Sequence, residues 1–390
     1  MPSRYDLDPE ALARALEPAL DGEPPYRFRQ LWDGLYRRLA DPSELQELPR
    51  ALRVRLADAD PLRPALSLAA ELEADAGATV KWLFALRDGA EVETVLMRYP
   101  NRATVCVSSQ AGCAMGCTFC ATGQGGFSRQ LTTGEIVEQV VWAARVARDS
   151  GARLSNVVFM GMGEPLANYG PVVRALRRLH GALGLSARHL TVSTVGVVPG
   201  IHRLAAEGLP VKLALSLHAA NDSLRSSLVP LNARWPLESL AAACAAYAVA
   251  TGRRVSLEWA LMDGVNDTPT ALEELVAFAR PLAAHVNLIP LNPTPGWPVL
   301  GSPPARVAGF AARLGAAGIA TTVRQTRGVA IAAACGQLAM RSATPARAGR
   351  GGARGRGGHL SGQTGDIWNL ASGSTGPSPR PSRTPSSSST

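Results

Sequence analysis

Cys113, Cys117 and Cys120 fall within eight residues of a 390-residue chain that holds only six cysteines. Their spacing is C-x3-C-x2-C, inside Gln110-Ala111-Gly112-Cys113-Ala114-Met115-Gly116-Cys117-Thr118-Phe119-Cys120. Thiolates this close on one segment converge on one centre, so metal binding is the first chemistry they suggest. A closed structural zinc site takes four protein ligands. An iron–sulfur cluster held by thiolates alone also takes four. Three leave one iron open, and an open iron binds a substrate or cofactor. A disulfide framework is disfavoured, because the cysteines are few for this length and no secretory context accompanies them. Cys106 lies just upstream, and Cys244 sits in an alanine-rich run that reads as core. Cys335 lies between small residues in Ala333-Ala334-Cys335-Gly336. An inert buried thiol is the ordinary reading there, although small neighbours also suit close approach of a bulky substrate.

A loop of this kind needs a rigid scaffold. From residue 103 to about 325, β-rich runs alternate with helical ones. The expected strands are Ala103–Val107, Asn156–Met160, Leu190–Thr194, Val211–Leu217, Val255–Leu261, His285–Pro290 and Ala320–Arg324. Between them lie helical patterns at Glu135–Asp149, Pro171–Leu183, Ile201–Glu207, Leu237–Thr251, Ala271–Arg280 and Ala305–Ala316. Thr132-x-x-Glu135 is a capping box for the first of these helices. This alternation predicts βαβ units and a parallel sheet, hence an α/β fold with an open or partial (β/α) barrel. Barrel chemistry sits at the C-terminal strand ends, and the cysteine loop follows the first strand.

The same end collects polar residues. Gly161-Met162-Gly163-Glu164-Pro165 ends the second strand, where glycines admit a ligand and Glu164 can accept hydrogen bonds from an ammonium group. Ser193 and Thr194 end the third strand, Ser216-Leu217-His218 the fourth, and Asn292 follows the sixth. A ligand lying across a barrel mouth requires one polar residue after each strand. Taken singly, Ser and Asn are turn formers there, and His218 reads equally as a satisfied structural histidine.

Outside the barrel, residues 5–70 read as helical. Leu12, Leu16 and Leu20 recur at helical spacing, and Tyr26–Arg38 places aromatic residues between arginines. Two β-rich runs around Arg87-Asp88-Gly89 predict a hairpin over residues 79–97. The expected division is a helical accessory domain (1–75), the hairpin (76–102), the barrel (103–342) and a disordered Arg/Gly/Ser/Pro-rich tail (343–390). Net charge is +9, of which residues 345–390 carry +5 with six arginines and one aspartate. A polyanionic partner suits that balance. The start of the chain lacks the apolar run of a signal peptide, and the longest apolar run, Leu240–Ala250, is too short to span a bilayer. A soluble cytoplasmic protein with no membrane partner is therefore expected, in a compartment where thiolates survive.

These motifs together resemble a known family. C-x3-C-x2-C after the first barrel strand is similar to the radical S-adenosylmethionine (SAM) superfamily. Five further features narrow the likeness: Arg102–Cys113, Gly126-Phe127-Ser128-Arg129, Gly134-Glu135-Ile136, Gly161–Pro165 and Ala334-Cys335-Gly336-Gln337-Leu338. Over about residues 20–342 the chain resembles the RNA adenine-C2 methyltransferases of the RlmN/Cfr type. The resemblance implies that Cys113, Cys117 and Cys120 hold a [4Fe–4S] cluster, with SAM on the open iron. It implies that Gly163, Glu164, Ser193, Ser216, Leu217, His218 and Asn292 hold the rest of SAM. Cys335 would carry a methyl group, Cys106 would resolve the covalent adduct through a transient disulfide, and Glu93 on the hairpin would be the catalytic acidic residue.

The implied reaction methylates C2 of adenine in 23S rRNA, and in tRNA, by a radical route through methyl-cysteine that uses two SAM molecules. An electron-poor amidine carbon cannot attack SAM's methyl group, whereas a thiolate can. An electron donor such as flavodoxin and a monomeric enzyme complete the expectation. Methylation at C8 is the alternative within the family, and a non-catalytic zinc- and RNA-binding protein the alternative outside it. One departure stands out. The family usually carries acidic residues just before the methylated cysteine, and Arg327–Ala334 has none.

Overall fold

Aliphatic and β-branched runs without polar alternation suit strands covered on both faces. The computed structural model describes residues 2–325, 327–334 and 336–338. Among them the chain opens with helices α1 (Pro9–Ala15), α2 (Glu17–Leu20), α3 (Tyr26–Tyr36) and α4 (Arg50–Asp58). Strands β1 (Leu66–Ala74), β2 (Thr79–Leu86) and β3 (Glu91–Tyr99) follow. Next come β4 (Arg102–Cys106), β5 (Gln110–Gly112), α5 (Ala121–Gln124), β6 (Phe127–Gln130), α6 (Thr133–Asp149), β7 (Leu154–Phe159) and α7 (Tyr169–Gly181). Then β8 (Leu190–Thr194), α8 (Val198–Ala205), β9 (Lys212–Ser216), α9 (Asp222–Leu228) and α10 (Leu237–Thr251) appear. The last elements are β10 (Ser256–Leu261), α11 (Pro269–Ala279), β11 (His285–Pro290), α12 (Pro304–Ala316) and β12 (Ala320–Val323).

Among the described residues, ten strands form one sheet in the order β1-β2-β3-β4-β7-β8-β9-β10-β11-β12. From β4 to β12 neighbouring strands are parallel. β1 to β4 pair antiparallel. No pairing joins β12 back to β1, so the barrel is partial, as expected. Helices cover it with apolar stripes. On α7, Val172, Val173, Leu176 and Leu179 are buried at helical spacing, each stabilising the fold by about 1.5–3 kcal/mol. The predicted capping box forms on α6: Thr132 accepts from the Glu135 amide, and Glu135 accepts from the Thr132 amide at 2.8 Å. No helix among the described residues is long and apolar enough to cross a membrane.

The N-terminal helical reading fails at its end. Helix was expected to residue 70, yet Leu66–Ala74 is strand β1, paired with β2. Leu, Ala and Glu dominate it, and they favour helix by propensity. α4 has already ended at Asp58, and Pro61 and Pro64 keep a helix from resuming before β1, while the edge of β2 supplies backbone partners that override propensity. The expected two-stranded hairpin is thus three strands, continuous with the barrel sheet through β3 and β4.

After β12 the described residues among 324–338 form a strap across the open side of the sheet. The Arg324 amide donates to Leu288 O on β11. The Gly328 amide donates to Asp75 Oδ2 in the β1–β2 turn at 3.0 Å, and Arg327 donates to Arg98 O on β3. The strap ends on α5, where the Ala121 amide donates to Gly336 O at 2.8 Å and the Thr122 hydroxyl to Leu338 O. Cys335, residues 339–342 of the expected barrel domain and the tail expected at 343–390 lie outside the described residues.

Candidate active site

The cysteine loop is held by a short ribbon. β5 and β6 pair antiparallel, with Gln110 opposite Gln130 and Ala111 opposite Arg129. Strands of three and four residues carry too little pattern to be read from sequence. Gly112 makes the ribbon possible: its φ is 76°, and a Cβ there would meet Gly126 O at 2.1 Å. The Cys113 amide donates to Gly126 O at 2.7 Å. Arg129 ties the ribbon outward, to Glu135 of α6 at 2.8 Å and to Asp88 of the β2–β3 turn at 3.0 Å.

One cavity opens at the C-terminal ends of the barrel strands. Cys113, Cys117 and Cys120 line it together with Gly163, Glu164, Ser193, Ser216, His218 and Asn292. Leu217 is the expected member that does not. Its side chain is fully buried, and its contribution is backbone: the amide donates to Glu258 O at 3.0 Å, and the carbonyl accepts from Arg225.

Cys117 is buried, and Cys113 and Cys120 are half-buried on the same cavity wall. Burial pushes Cys113 up to about 12 and Cys117 well above its ordinary value, and the neighbouring thiols push in the same direction. Three thiolates there require a cationic partner, which suits an iron–sulfur cluster. No group of three His, Cys, Asp or Glu side chains is gathered into a coordination geometry among the described residues. The fit therefore rests on donor chemistry and on the shared wall.

Opposite the cysteines, Glu164 is buried and doubly anchored. Oε1 accepts from the Leu166 amide at 2.9 Å, and Oε2 from the Val195 amide at 2.8 Å. Burial nevertheless raises its pKa to about 7, against the pull of those hydrogen bonds. Its position depends on Gly163, where φ is 100° and a Cβ would lie 2.5 Å from the Gln110 side chain. Ser193 donates to Phe159 O at 2.6 Å, which leaves its oxygen lone pairs as acceptors. His218 packs edge-on to Phe119 with ring centroids 4.7 Å apart. Its φ of 58° is left-handed, and Asn266 holds its carbonyl at 2.8 Å.

A second, smaller cavity adjoins the first and shares Met160, Ile289, Asn292 and Arg324 with it. Cys106, at the end of β4, lines this second cavity. Ala334 lines it too, whereas Gly336 lines the first, so the residues flanking position 335 touch both. No disulfide forms among the described residues. The expected Cys106–Cys335 bond involves a residue outside them. Glu93 is buried on β3. Nζ of Lys81 lies 2.9 Å from its Oε1.

Several residues that shape the site escaped the sequence reading. Arg225, on α9, is buried beneath the cavity. Its guanidinium donates to Leu217 O at 3.1 Å, Ser216 O at 3.2 Å, Val195 O at 2.6 Å and Asn232 Oδ1 at 2.8 Å. Asn168 bridges Ser109 O and Leu131 O, both at 2.8 Å, and Gln110 accepts from the Glu164 amide at 2.7 Å. Glu258, inside β10, lines the cavity and accepts from Ser256 and Asn287. A polar residue in a loop, short helix or strand reads as solvent-facing by type, and only the fold turns these inward.

Residues 107–278 match the radical SAM superfamily. The chain is 56% identical over 339 residues to a probable dual-specificity RNA methyltransferase RlmN of Frankia alni, spanning 84% of this chain and 80% of that one. It is 53% identical over 352 residues to the Salinispora tropica protein of the same name, spanning 87% and 94%. Among solved structures it matches a radical SAM methyltransferase from Sphaerobacter thermophilus at 52% identity and a TM-score of 0.82, over 87% of this chain and 99% of that one.

Proposed function

The chain belongs to the RlmN-type radical SAM RNA methyltransferases, enzymes that use a [4Fe–4S] cluster and SAM, and on that premise we propose that it methylates C2 of adenine in 23S rRNA and beside the tRNA anticodon. Two adjoining cavities carry this reading: one lined by Cys113, Cys117 and Cys120, the other by Cys106 and Ala334, with Asn292 and Arg324 common to both. A reaction that separates SAM activation from a thiol-borne methyl group needs that arrangement.

Cys113, Cys117 and Cys120 are the proposed cluster ligands. The bound cluster supplies the electron for reductive cleavage of SAM, and with it the radical chemistry that an electron-poor carbon requires. Glu164 is the proposed partner of SAM's ammonium group, and two amides orient its oxygens. Ser193 and Asn292 offer acceptors and donors for the rest of SAM, and His218 offers one ring nitrogen. Apolar lining by Met115, Phe119 and Leu291 excludes water from this chemistry. Cys335 is the proposed methyl carrier, Cys106 the thiol that resolves the covalent adduct, and Glu93 the carboxylate that handles the proton at C2. Two SAM molecules are consumed, one for each role. We place the enzyme in the cytoplasm as a monomer served by an electron donor of the flavodoxin kind.

The test is nucleoside mass spectrometry on RNA from a deletion strain with and without the restored gene. Restoration should return 2-methyladenosine to 23S rRNA and tRNA. Appearance of 8-methyladenosine instead would move the reaction to C8, and no change in either nucleoside would overturn the reading.

A further inference from the structure

Lys81 is the only basic residue of β2 and is 7% exposed. Burying an ammonium is costly unless it is paired and hydrogen-bonded. Here Nζ donates to Glu93 Oε1 at 2.9 Å and to Ala332 O at 3.2 Å. The two acceptors belong to different elements, one to β3 and one to the strap. In the β2–β3 register Leu83 stands opposite Glu93 and Lys81 opposite Val95. Lys81 and Glu93 are therefore diagonal neighbours on one face of the sheet. Val95 and Met97 alternate onto the same face as Glu93, and both line the cavity that Cys106 lines. The carboxylate that Lys81 holds thus stands on the face that forms the second cavity.

Stability alone is a poor reason for such a pair. A buried ion pair is often matched or bettered by apolar residues of similar volume. What an apolar pair cannot do is fix a carboxylate's direction while gripping a carbonyl of another segment. We propose that Lys81 is a positioning residue: one ammonium orients the Glu93 carboxylate and holds the strap at Ala332, so that the acid on β3 and the segment leading to Cys335 keep a fixed spacing across the second cavity. This rests on the methyltransferase reading, in which Glu93 and Cys335 act on the same base.

The experiment uses the full-length, iron-reconstituted enzyme and RNA purified from a strain that lacks this methylation. Lys81→Met should lower kcat at least about thirtyfold, as loss of an interaction needed in the transition state does, while KM for RNA stays within about threefold. Iron content should equal that of wild type, because the cysteine ribbon is held by other contacts. Lys81→Arg keeps the charge and two or more donors and should restore kcat to within about fivefold of wild type. A Lys81→Met enzyme with normal kcat, a change confined to KM, or an arginine variant as slow as the methionine one would overturn the proposal. If Lys81→Met fails to load iron, Lys81→Gln takes its place. If that variant fails as well, Lys81 serves the fold and the proposal falls. Wild-type enzyme that leaves the RNA unmethylated sinks the functional reading itself, whereas active wild type with unaffected Lys81 variants sinks only the positioning role.

Discussion

Nδ1 of His218 accepts the backbone hydrogen of Ala260 at 3.0 Å. An acceptor nitrogen carries no hydrogen, so the ring is neutral and its hydrogen sits on Nε2. Burial, helped by the positive charge of Arg225, lowers the His218 pKa to about 3. The residue at the mouth of β9 is therefore a fixed single donor at neutral pH, and it does not take up a proton there.

Linkage turns this into a pH prediction. Unfolded, His218 binds a proton below about pH 6.5; folded, it resists protonation down to about pH 3. Between those limits the unfolded state holds more protons, so stability falls as pH falls. The slope is roughly 1.4 kcal/mol per pH unit for one such group. Denaturant unfolding of wild type and His218→Asn from pH 7 to pH 4 should show the variant's dependence about one proton shallower. Parallel curves would contradict the assignment.

Glu164→Gln replaces an acceptor oxygen with an amide that faces another amide hydrogen, at either Leu166 or Val195. One buried donor loses its partner, at a cost of about 1–3 kcal/mol. The ammonium-binding charge is lost as well. SAM affinity, measured by calorimetry on the reconstituted enzyme, should drop at least about tenfold, and the melting temperature should fall too. Unchanged affinity would remove Glu164 from the SAM site.

Arg225→Met should be among the most destabilising single changes. It leaves the carbonyls of Val195, after β8, and of Ser216 and Leu217, at the end of β9, without their shared donor. Several unsatisfied buried acceptors cost more than about 3 kcal/mol together. Thermal unfolding reads the loss directly. A loss under about 1 kcal/mol would mean that solvent or neighbouring groups take over these acceptors.

Cys117→Ala removes the most deeply buried of the three loop thiols. The reconstituted protein should bind markedly less iron and lose RNA methylation, while the fold persists by circular dichroism. Cys244→Ala, in the core of α10 and away from the cavity, should retain both iron and activity. Equal iron in the two variants would dismiss the loop as the cluster site.

Much of the barrel was legible because its signals are local. Runs such as Val157–Phe159 and Trp259–Leu261 are continuously apolar, and α10 keeps its expected bounds at Leu237 and Thr251. The strand ends pointed to Glu164, Ser193, Ser216, His218 and Asn292, and these line one cavity. What stayed hidden depends on distant partners. β1 is a strand only because β2 offers an edge. Glu93 is buried only because the strap and the barrel cover β3. Lys81 and Arg225 have the composition of surface residues, and their roles exist only once carbonyls from other segments surround them. Leu217 shows the converse: a motif position whose contribution is backbone.

The strap also sets the order in which the molecule can be completed. Lys81 and Ala332 are 251 residues apart in the chain. Closing a loop of that length costs about 5 kcal/mol of chain entropy by the logarithmic rule, and a few hydrogen bonds cannot repay it early in folding. The intervening sheet must first bring β2 and β12 into proximity, by which time the effective loop is far shorter. On a growing chain, Ala332 reaches the ribosome exit only after every barrel strand has been synthesised. The second cavity thus has no wall until the scaffold has consolidated, and the last contact made is the one that gathers Lys81, Glu93 and the approach to Cys335.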